Sequence, residues 1–377
     1  MALYGLLPPL QQATAFKKLT EQLKAGGARA GGVLGASSGY LLAGLQVALK
    51  RPVVAVLPDP ERARQVFDEL QSWSLEPASC LYFPELEGLP YEEGTARPDT
   101  VRQRAAVLAE LKTRPKHEGR WFKPLVITRA AALFPRVTPP EDFAAQVFTL
   151  EQGQTIKPDA LLEEWLRMGF EPAPMVEEAG QFTRRGGVLD VFPPAHSRPV
   201  RIEFWGDDIE SIRLFDPESQ LSEAEVQSIT FTPVREVSAG MGERALQLQD
   251  ELDFDGCREE EAGRWRRALE AIAAGQKAED SDFYTRFLFQ RTASLLDYLP
   301  EDGVVTLAEA DAIGRALAHL ANQAEDMRHE LEMEGEIPAG LPKPYIEAAA
   351  ISDPHLSPLP EGKGTRSVLE LTAGPAA

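Results

Sequence analysis

The chain has 377 residues, of which 43% are hydrophobic and 26% charged, a composition typical of a globular protein with room for two or three domains. Its formal net charge of −20 argues against a protein that binds nucleic acid over its whole surface, because phosphate contacts need a basic surface. No apolar run approaches the roughly 20 residues that span a bilayer, and the N-terminus lacks a signal-peptide pattern. We therefore expect a cytoplasmic monomer without membrane contact.

Metal-ligating and nucleophilic side chains are scattered along the sequence. Cys80 and Cys257 lie far apart, and the five histidines show no ligand spacing with either of them. Acidic pairs such as Asp207-Asp208 have no partner histidine and are typical of solvated faces. The sequence thus predicts no catalytic residue and no metal site.

Residues 1–144 alternate between amphipathic segments and short apolar runs. The run 52–59 (PVVAVLPD) has the pattern of a strand that is buried on both faces. Residues 99–113 have the pattern of a helix. A second apolar run, 124–133, enters another helix. This order predicts a doubly wound α/β domain with a parallel sheet, domain 1a.

The pattern changes at about residue 145. Residues 145–235 combine one helix (158–169) with short, alternating strands and tight turns, which predicts an inserted small α+β antiparallel domain, domain 2. Residues 236–350 are helical around one buried-strand candidate, 302–307, and predict a return to the α/β layer, domain 1b. Residues 351–377 are rich in Pro, Gly and Ser and predict a linker or disordered tail, with a strand at SVLEL.

A glycine-rich stretch, 31–44, stands where a phosphate-binding loop would stand. Its candidate loop residues are Gly32, Gly35, Ser38 and Gly39. A Walker A loop needs a lysine followed by Ser or Thr after its last glycine, because that lysine neutralises the β/γ-phosphates. Tyr40 follows Gly39 instead, so we expect a degenerate loop, no bound nucleotide and no ATP hydrolysis by this chain.

Strict alternation marks the run 200–205. Val200, Ile202 and Phe204 are expected on the core face, and Arg201, Glu203 and Trp205 on the other. Arginine and tryptophan are enriched at interaction hot spots, which favours a protein-binding face. A solvated face with Trp205 covered by a helix is an equal alternative, and DNA binding is a weaker one because acidic residues lie beside the arginines.

The run 180–220, GQFTRRGGVLDVFPPAHSRPVRIEFWGDDIESIRLFDPESQ, resembles the UvrA-binding domain shared by UvrB and the bacterial transcription-repair coupling factors (Mfd). Its pattern is R-G-x-x-x-D-x-F-P followed by R-x-E-F-(F/W)-G-D-x-I-x-x-I. The resemblance extends over about residues 30–345. It implies a RecA/Rossmann-like domain, split by the inserted UvrA-binding domain, and the missing loop lysine favours the coupling factor over UvrB.

This resemblance also implies a function and its residues. By motif position, UvrA contacts fall on Arg185, Arg201 and Trp205, with Arg184 and Arg213 as secondary candidates; the family's usual aromatic at the third position is Phe. The implied role is a UvrB-mimicking adaptor that recruits UvrA to RNA polymerase stalled at DNA damage. Contacts to polymerase and DNA, and the ATP- and Mg²⁺-dependent motor, would belong to domains outside these 377 residues. The alternative is a nucleotide-dependent, UvrB-like DNA-binding helicase paralogue.

Overall fold

The computed structural model describes residues 3–33, 35, 37–94, 96–113, 123–236, 241–276, 280–347 and 366–373. The N-terminal part alternates strands with helices, as the sequence predicts. Its strands are β1 Gly27–Gly31, β2 Val53–Leu57, β3 Cys80–Phe83 and β4 Leu125–Arg129. Its helices are α1 Leu7–Gln12, α2 Thr14–Lys24, α3 Ser37–Leu49, α4 Pro60–Trp73, α5 Pro98–Thr113, α6 Ala130–Leu133 and α7 Pro140–Ala144.

The middle of the chain is rich in short strands. These strands are β5 Phe148–Glu151, β6 Glu171–Pro172, β7 Gln181–Arg185, β8 Val188–Val191, β9 Val200–Trp205, β10 Asp208–Phe215, β11 Ser222–Glu225 and β12 Ser228–Phe231. One helix, α8 Pro158–Arg167, lies between β5 and β6. The strands β7 to β11 pair antiparallel with one another in succession, and the two-residue β6 pairs parallel with β7 at the edge.

The rest of the described chain is mostly helical. It contains α9 Met241–Glu251, α10 Glu259–Ala273, α11 Ser281–Thr285 and α12 Ala310–Glu334, with two strands, β13 Val304–Ala308 and β14 Ser367–Thr372. Short 3₁₀ turns occur at Tyr4–Leu6, Pro77–Ser79 and Leu295–Tyr298.

A six-stranded parallel sheet joins the two ends of the chain, in the order β1-β14-β13-β2-β4-β3. Successive residues of β2 belong to different cores: Val53, Ala55 and Leu57 pack on one side, and Val54 and Val56 on the other. Because side chains alternate across a strand, a strand that is wholly apolar must be covered on both faces. The predicted doubly wound, split α/β fold is confirmed.

Strand β14 corrects the prediction for residues 351–377, which were assigned to a linker or disordered tail with a strand at SVLEL. That strand lies inside the sheet, pairing with β1 on one side and β13 on the other. Its Val368, Leu369 and Leu371 are buried, Leu369 completely. The apolar side chains on both faces of the strand place it in the core. The tail prediction failed because it rested on the Pro- and Gly-rich composition of the whole segment. Residues 351–365 lie outside the described residues.

The strands between β5 and β12 enclose a core of their own. Its largest member is Trp165 of α8, which is fully buried against Phe170, Phe182 and Phe231. This cluster is distinct from the two cores that cover the parallel sheet. The predicted α+β body is therefore a second packing unit, placed between two segments of the α/β body.

Candidate functional site

The antiparallel sheet, in the order β11-β10-β9-β8-β7-β6, has two unlike faces. Val200 and Ile202 are fully buried and Phe204 is 9% exposed, all in the core that includes Trp165. The intervening residues of β9 therefore point to the opposite face. The predicted alternation is confirmed, and we call this opposite side the outer face.

Strand register sets the neighbours on the outer face. At one level Arg185 pairs with Val188, Val188 with Glu203, and Glu203 with Ser211. The Ser211 hydroxyl donates to Glu203 Oε2 at 2.7 Å. Since these four side chains stand in one row across four strands, Arg185 lies level with the middle of β9 although it is 18 positions away from Glu203 in the sequence.

Trp205 stands at the end of β9, where the chain turns through Gly206 and Asp207 into Asp208, its partner on β10. Gly206 has φ +64°, a conformation that glycine adopts without strain. The Trp205 side chain is 80% exposed, more than any other large apolar residue among those described. The alternative in which a helix covers Trp205 is wrong.

Arg185 ends β7 and is also exposed. Its Nη2 donates to the carbonyl of Pro174 at 3.3 Å, and within the described chain this is the one hydrogen bond of the guanidinium group. No carboxylate of the described residues lies within ion-pairing distance of it. Most of its donors are therefore available to a partner.

Arg201 is held differently. Its Nε donates to Asp190 Oδ1 at 2.7 Å and its Nη2 to Asp190 Oδ2 at 2.9 Å, the bidentate geometry that arginine forms with a carboxylate. Asp190 is 1% exposed and the Arg201 side chain 20% exposed. The guanidinium also lies 4.9 Å from the centre of the Phe215 ring. Arg201 is thus half-buried and not the freely exposed cation that alternation alone suggests.

The hydrogen bond to Asp190 also has an electrostatic effect, because it raises the pKa of Arg201 above its ordinary value. The remaining contact is a long one, from Nη1 to the carbonyl of Gln220 at 3.4 Å. An arginine fixed in this way presents one edge of its guanidinium in a defined direction, with little loss of side-chain freedom on binding.

The two secondary candidates are on different faces. Arg184 pairs with buried Leu189, so it points toward α8, where its Nη1 contacts Asp159. Arg213 faces outward beside Arg201, with its Nη1 3.9 Å from Glu203 Oε1. Arg184 is therefore separated from the outer face, and Arg213 belongs to it.

The loop 216–221 borders the outer face at its far end. Asp216 Oδ1 accepts from the backbone N–H of Ser219 at 2.8 Å, and Asp216 Oδ2 accepts from Arg198 at 2.5 Å. These bonds lower the pKa of Asp216 to about 2, so the carboxylate stays charged. The Gln220 side chain then donates to the carbonyl of Val176 at 3.1 Å, which ties this loop to the loop that follows β6.

The degenerate phosphate loop lies in the other body, between β1 and α3. Gly32 and Gly35 both have positive φ, and Ser38 and Gly39 are in the first turn of α3. Arg62, from α4, donates to the carbonyl of Gly35 and to Ser38 Oγ, the latter at 3.0 Å. A cation is thus present at the loop, although it comes from a different helix.

Glu69 accompanies Arg62 at this loop, with Oε1 at 3.6 Å from Arg62 Nη1. A Cβ on Gly39 would lie 2.8 Å from Glu69 Oε2, so the carboxylate packs directly against the start of α3. A carboxylate at a helix N-terminus occupies the position that favours a phosphate. The positive charge of Arg62 at the loop is therefore balanced by the negative charge of Glu69.

The described residues offer neither a metal-binding cluster nor a membrane-spanning helix. Among the ranges given above, no three His, Cys, Asp or Glu side chains come together as a metal site would require. No helix in that same part of the chain is both long enough and apolar enough to cross a membrane.

The comparison with protein families matches the second body. Residues 148–236 fit the family model of the UvrB interaction domain. The fit begins with β5 and ends just after β12, so it contains the whole outer face. Residues 148–236 are accordingly called the UvrB interaction domain.

Curated proteins extend the resemblance to most of the chain. A transcription-repair-coupling factor of Myxococcus xanthus is 36% identical over 59% of this chain and 18% of its own length. That of Bacillus subtilis is 27% identical over 85% of this chain and 27% of its own length, and that of Escherichia coli 30% over 58% and 18%. The resemblance inferred from the motifs is confirmed. The chain spans about a fifth to a quarter of the length of these relatives.

Sequence reasoning did not foresee the partner of Arg201. Asp190 is the acidic residue of the R-G-x-x-x-D motif, and it faces Arg201 because β8 and β9 form a hairpin with Asp190 opposite Arg201. Counting outward from the turn between the strands would have paired them. The contact of Arg62 with the phosphate loop had no comparable signal, since α4 and the loop meet only through the fold of the sheet.

Proposed function

We propose that this chain is the UvrB-mimicking adaptor of a transcription-repair coupling factor and that it binds UvrA through the outer face of its UvrB interaction domain. One observation carries the proposal: the family match at 148–236 coincides with a sheet face that carries both a tryptophan that is 80% exposed and an arginine with unused donors. Through UvrA, the adaptor would bring repair to RNA polymerase stalled at DNA damage.

Each residue of the outer face has a distinct part in this proposal. Trp205 is the apolar anchor, since a large aromatic at a hairpin end can enter a partner's pocket with little loss of conformational freedom. Arg185 offers charge-assisted hydrogen bonds to acidic groups of UvrA. Arg201 acts as a pre-positioned donor, and Asp190 holds it in place.

The test is a titration of UvrA with single variants of the chain. Trp205→Ala should weaken binding by about 2 kcal/mol, which is about thirtyfold in Kd, if Trp205 is a hot spot. Arg185→Ala should weaken it several-fold. Isothermal calorimetry measures both, and circular dichroism checks that each variant remains folded.

Two matched controls are available in the chain. Arg184→Ala removes the neighbouring arginine from the opposite face, and Met333→Ala removes an apolar side chain that is 76% exposed on α12, outside the UvrB interaction domain. Both should leave UvrA affinity unchanged. Wild-type affinity in folded Trp205→Ala, or an equal loss in Arg184→Ala and Arg185→Ala, would contradict the proposed face.

The parallel-sheet body, in this proposal, supports the adaptor and does not hydrolyse ATP. Its loop has Tyr40 where a Walker lysine would stand, and the Arg62–Glu69 pair already occupies the start of α3. Polymerase and DNA contacts, and the ATP-driven motor, would come from the remainder of a longer coupling factor.

A further inference from the structure

Three arginines meet below the UvrB interaction domain, where the chain re-enters the α/β body. Arg104 of α5 is fully buried, Arg286 directly after α11 is 6% exposed, and Arg136 follows α6. Arg136 and Arg286 line a small cavity together with Glu236 and Asp282. Arg104 borders the cavity through Glu236, to which its Nε donates at 2.7 Å.

Arg104 has most of its donors satisfied. Besides Glu236, its Nη1 donates to the carbonyls of Pro84 at 3.0 Å and Ala132 at 3.2 Å, and its guanidinium lies 4.2 Å from the centre of the Phe83 ring. Its Nη2 is buried without a hydrogen-bond partner. Arg104 and Glu236 thus form a structural ion pair that leaves the two N–H groups of Arg104 Nη2 unused.

Arg136 and Arg286 are in a different situation. Neither guanidinium has a hydrogen bond or an ion pair with any residue that the structure describes, and Arg136 Nε is buried without a partner. Burial lowers the pKa of both side chains, and repulsion from Arg104 lowers that of Arg286 further. A largely buried guanidinium that no carboxylate reaches within hydrogen-bonding distance is costly. Arg286, at 6% exposure, is such a group, and Glu236 and Asp282 act on it only at longer range. The arrangement therefore favours a ligand that accepts hydrogen bonds and carries negative charge.

The charge and size of the cavity define that ligand. Three guanidinium groups face two carboxylates, Glu236 and Asp282, which leaves one uncompensated positive charge. The cavity has a volume of about 20 Å³, which suits one monatomic ion or one water molecule better than a polyatomic anion. One monatomic anion would balance the charge and use the free donors.

We propose that this cavity is a binding site for a single halide ion, chloride in the cell, held by Arg286 and Arg136. Its lining comes from three separate segments: Leu86 and Val101 of the first α/β segment, Glu236 at the end of the UvrB interaction domain, and residues 282–289. Bound chloride therefore fastens the exit of the inserted domain to both halves of the split body. Its binding adds to the stability of the folded chain, because the unfolded chain has no such site.

The test measures thermal unfolding of the full chain against chloride concentration, with gluconate holding the ionic strength constant because it is too large for the cavity. Chloride should raise Tm in a saturable way by about 2 °C or more at high occupancy. Arg286→Met should abolish this dependence whatever its own Tm. Arg291→Met, which removes an exposed arginine paired with Asp142, should retain it.

A second measurement does not depend on any variant. Crystals of the wild-type chain grown or soaked in bromide should give an anomalous peak in the cavity, next to the guanidinium of Arg286. The proposal is overturned if Tm follows ionic strength alone, or if the cavity contains only a water molecule in bromide-soaked crystals. A chloride effect of the same size in Arg286→Met would also overturn it.

Discussion

Arg201 pairs with Asp190 inside the domain, and in the proposed interface it would also contact the partner. Its bidentate pair with Asp190 is nearly buried, so either residue alone would leave an unpaired charge in a poorly hydrated place. Loss of binding in an Arg201 variant could therefore reflect a disturbed sheet as well as a lost contact. Separating the two effects requires stability and affinity to be measured on the same variants.

We predict that Asp190→Asn lowers the free energy of unfolding by about 1–3 kcal/mol, because it leaves the half-buried Arg201 without its charged acceptor. Urea unfolding followed by circular dichroism measures this change. The double variant Asp190→Asn/Arg201→Met should lose less than the sum of the two single variants, since it removes both charges together. Strict additivity would mean that the pair contributes nothing to stability.

Among the elements, β14 is the last described strand along the chain, yet it lies inside the parallel sheet. It fills the gap between β1 and β13, and Leu369 at its middle is completely buried. We predict that Leu369→Ala costs about 2–5 kcal/mol of unfolding free energy, the usual cost of a cavity left by a buried leucine. Glu370→Ala on the same strand removes a half-exposed partner of Arg29 and should cost less than about 1 kcal/mol.

Chemical unfolding of these two variants tests whether β14 is a strand of the core or a peripheral tail. If Leu369→Ala were as mild as Glu370→Ala, β14 would not belong to the cooperative core. A chain shortened before residue 366 should unfold at a lower denaturant concentration than the full chain, because both β1 and β13 then lose a neighbour.

The sequence predicted elements well where the burial pattern is local. The apolar run of β2 and the strict alternation of β9 both follow from which faces are covered, and each can be read within six residues. The position of β14 could not be read in this way. A short segment such as SVLEL, with three apolar residues among five, looks alike in a tail and in a parallel sheet, and only pairing with distant strands distinguishes the two.

The site was predictable to a similar extent. The motif pointed to Arg185, Arg201 and Trp205, and it left Arg184 and Arg213 together as secondary candidates without separating their faces. The register of β7 turns Arg184 to the covered face, and the hairpin of β8 and β9 supplies Arg201 with Asp190. Such pairings depend on turn length between strands, which composition and periodicity do not encode.

At the scale of the whole molecule, the UvrB interaction domain has a core separate from the two cores of the α/β body. We predict that residues 145–236 fold when excised and unfold cooperatively, since a domain with its own core needs little from its surroundings. Trp165 is fully buried and Trp205 exposed, so Trp165 fluorescence in a Trp205→Phe background reports unfolding of the core. A non-cooperative transition in the fragment would show that the α/β body is required.

The order of the parallel sheet also bears on how the protein is made. Among the described strands, β1 has β14 as its one neighbour, with Gly27 opposite Val368. The first strand to leave the ribosome must therefore wait for the last one before it can pair. Until then β1 has no described strand to pair with, whereas β5–β12 already have all their neighbours. We expect the inserted domain to mature during synthesis, and the body that carries it to close only when translation has passed residue 372.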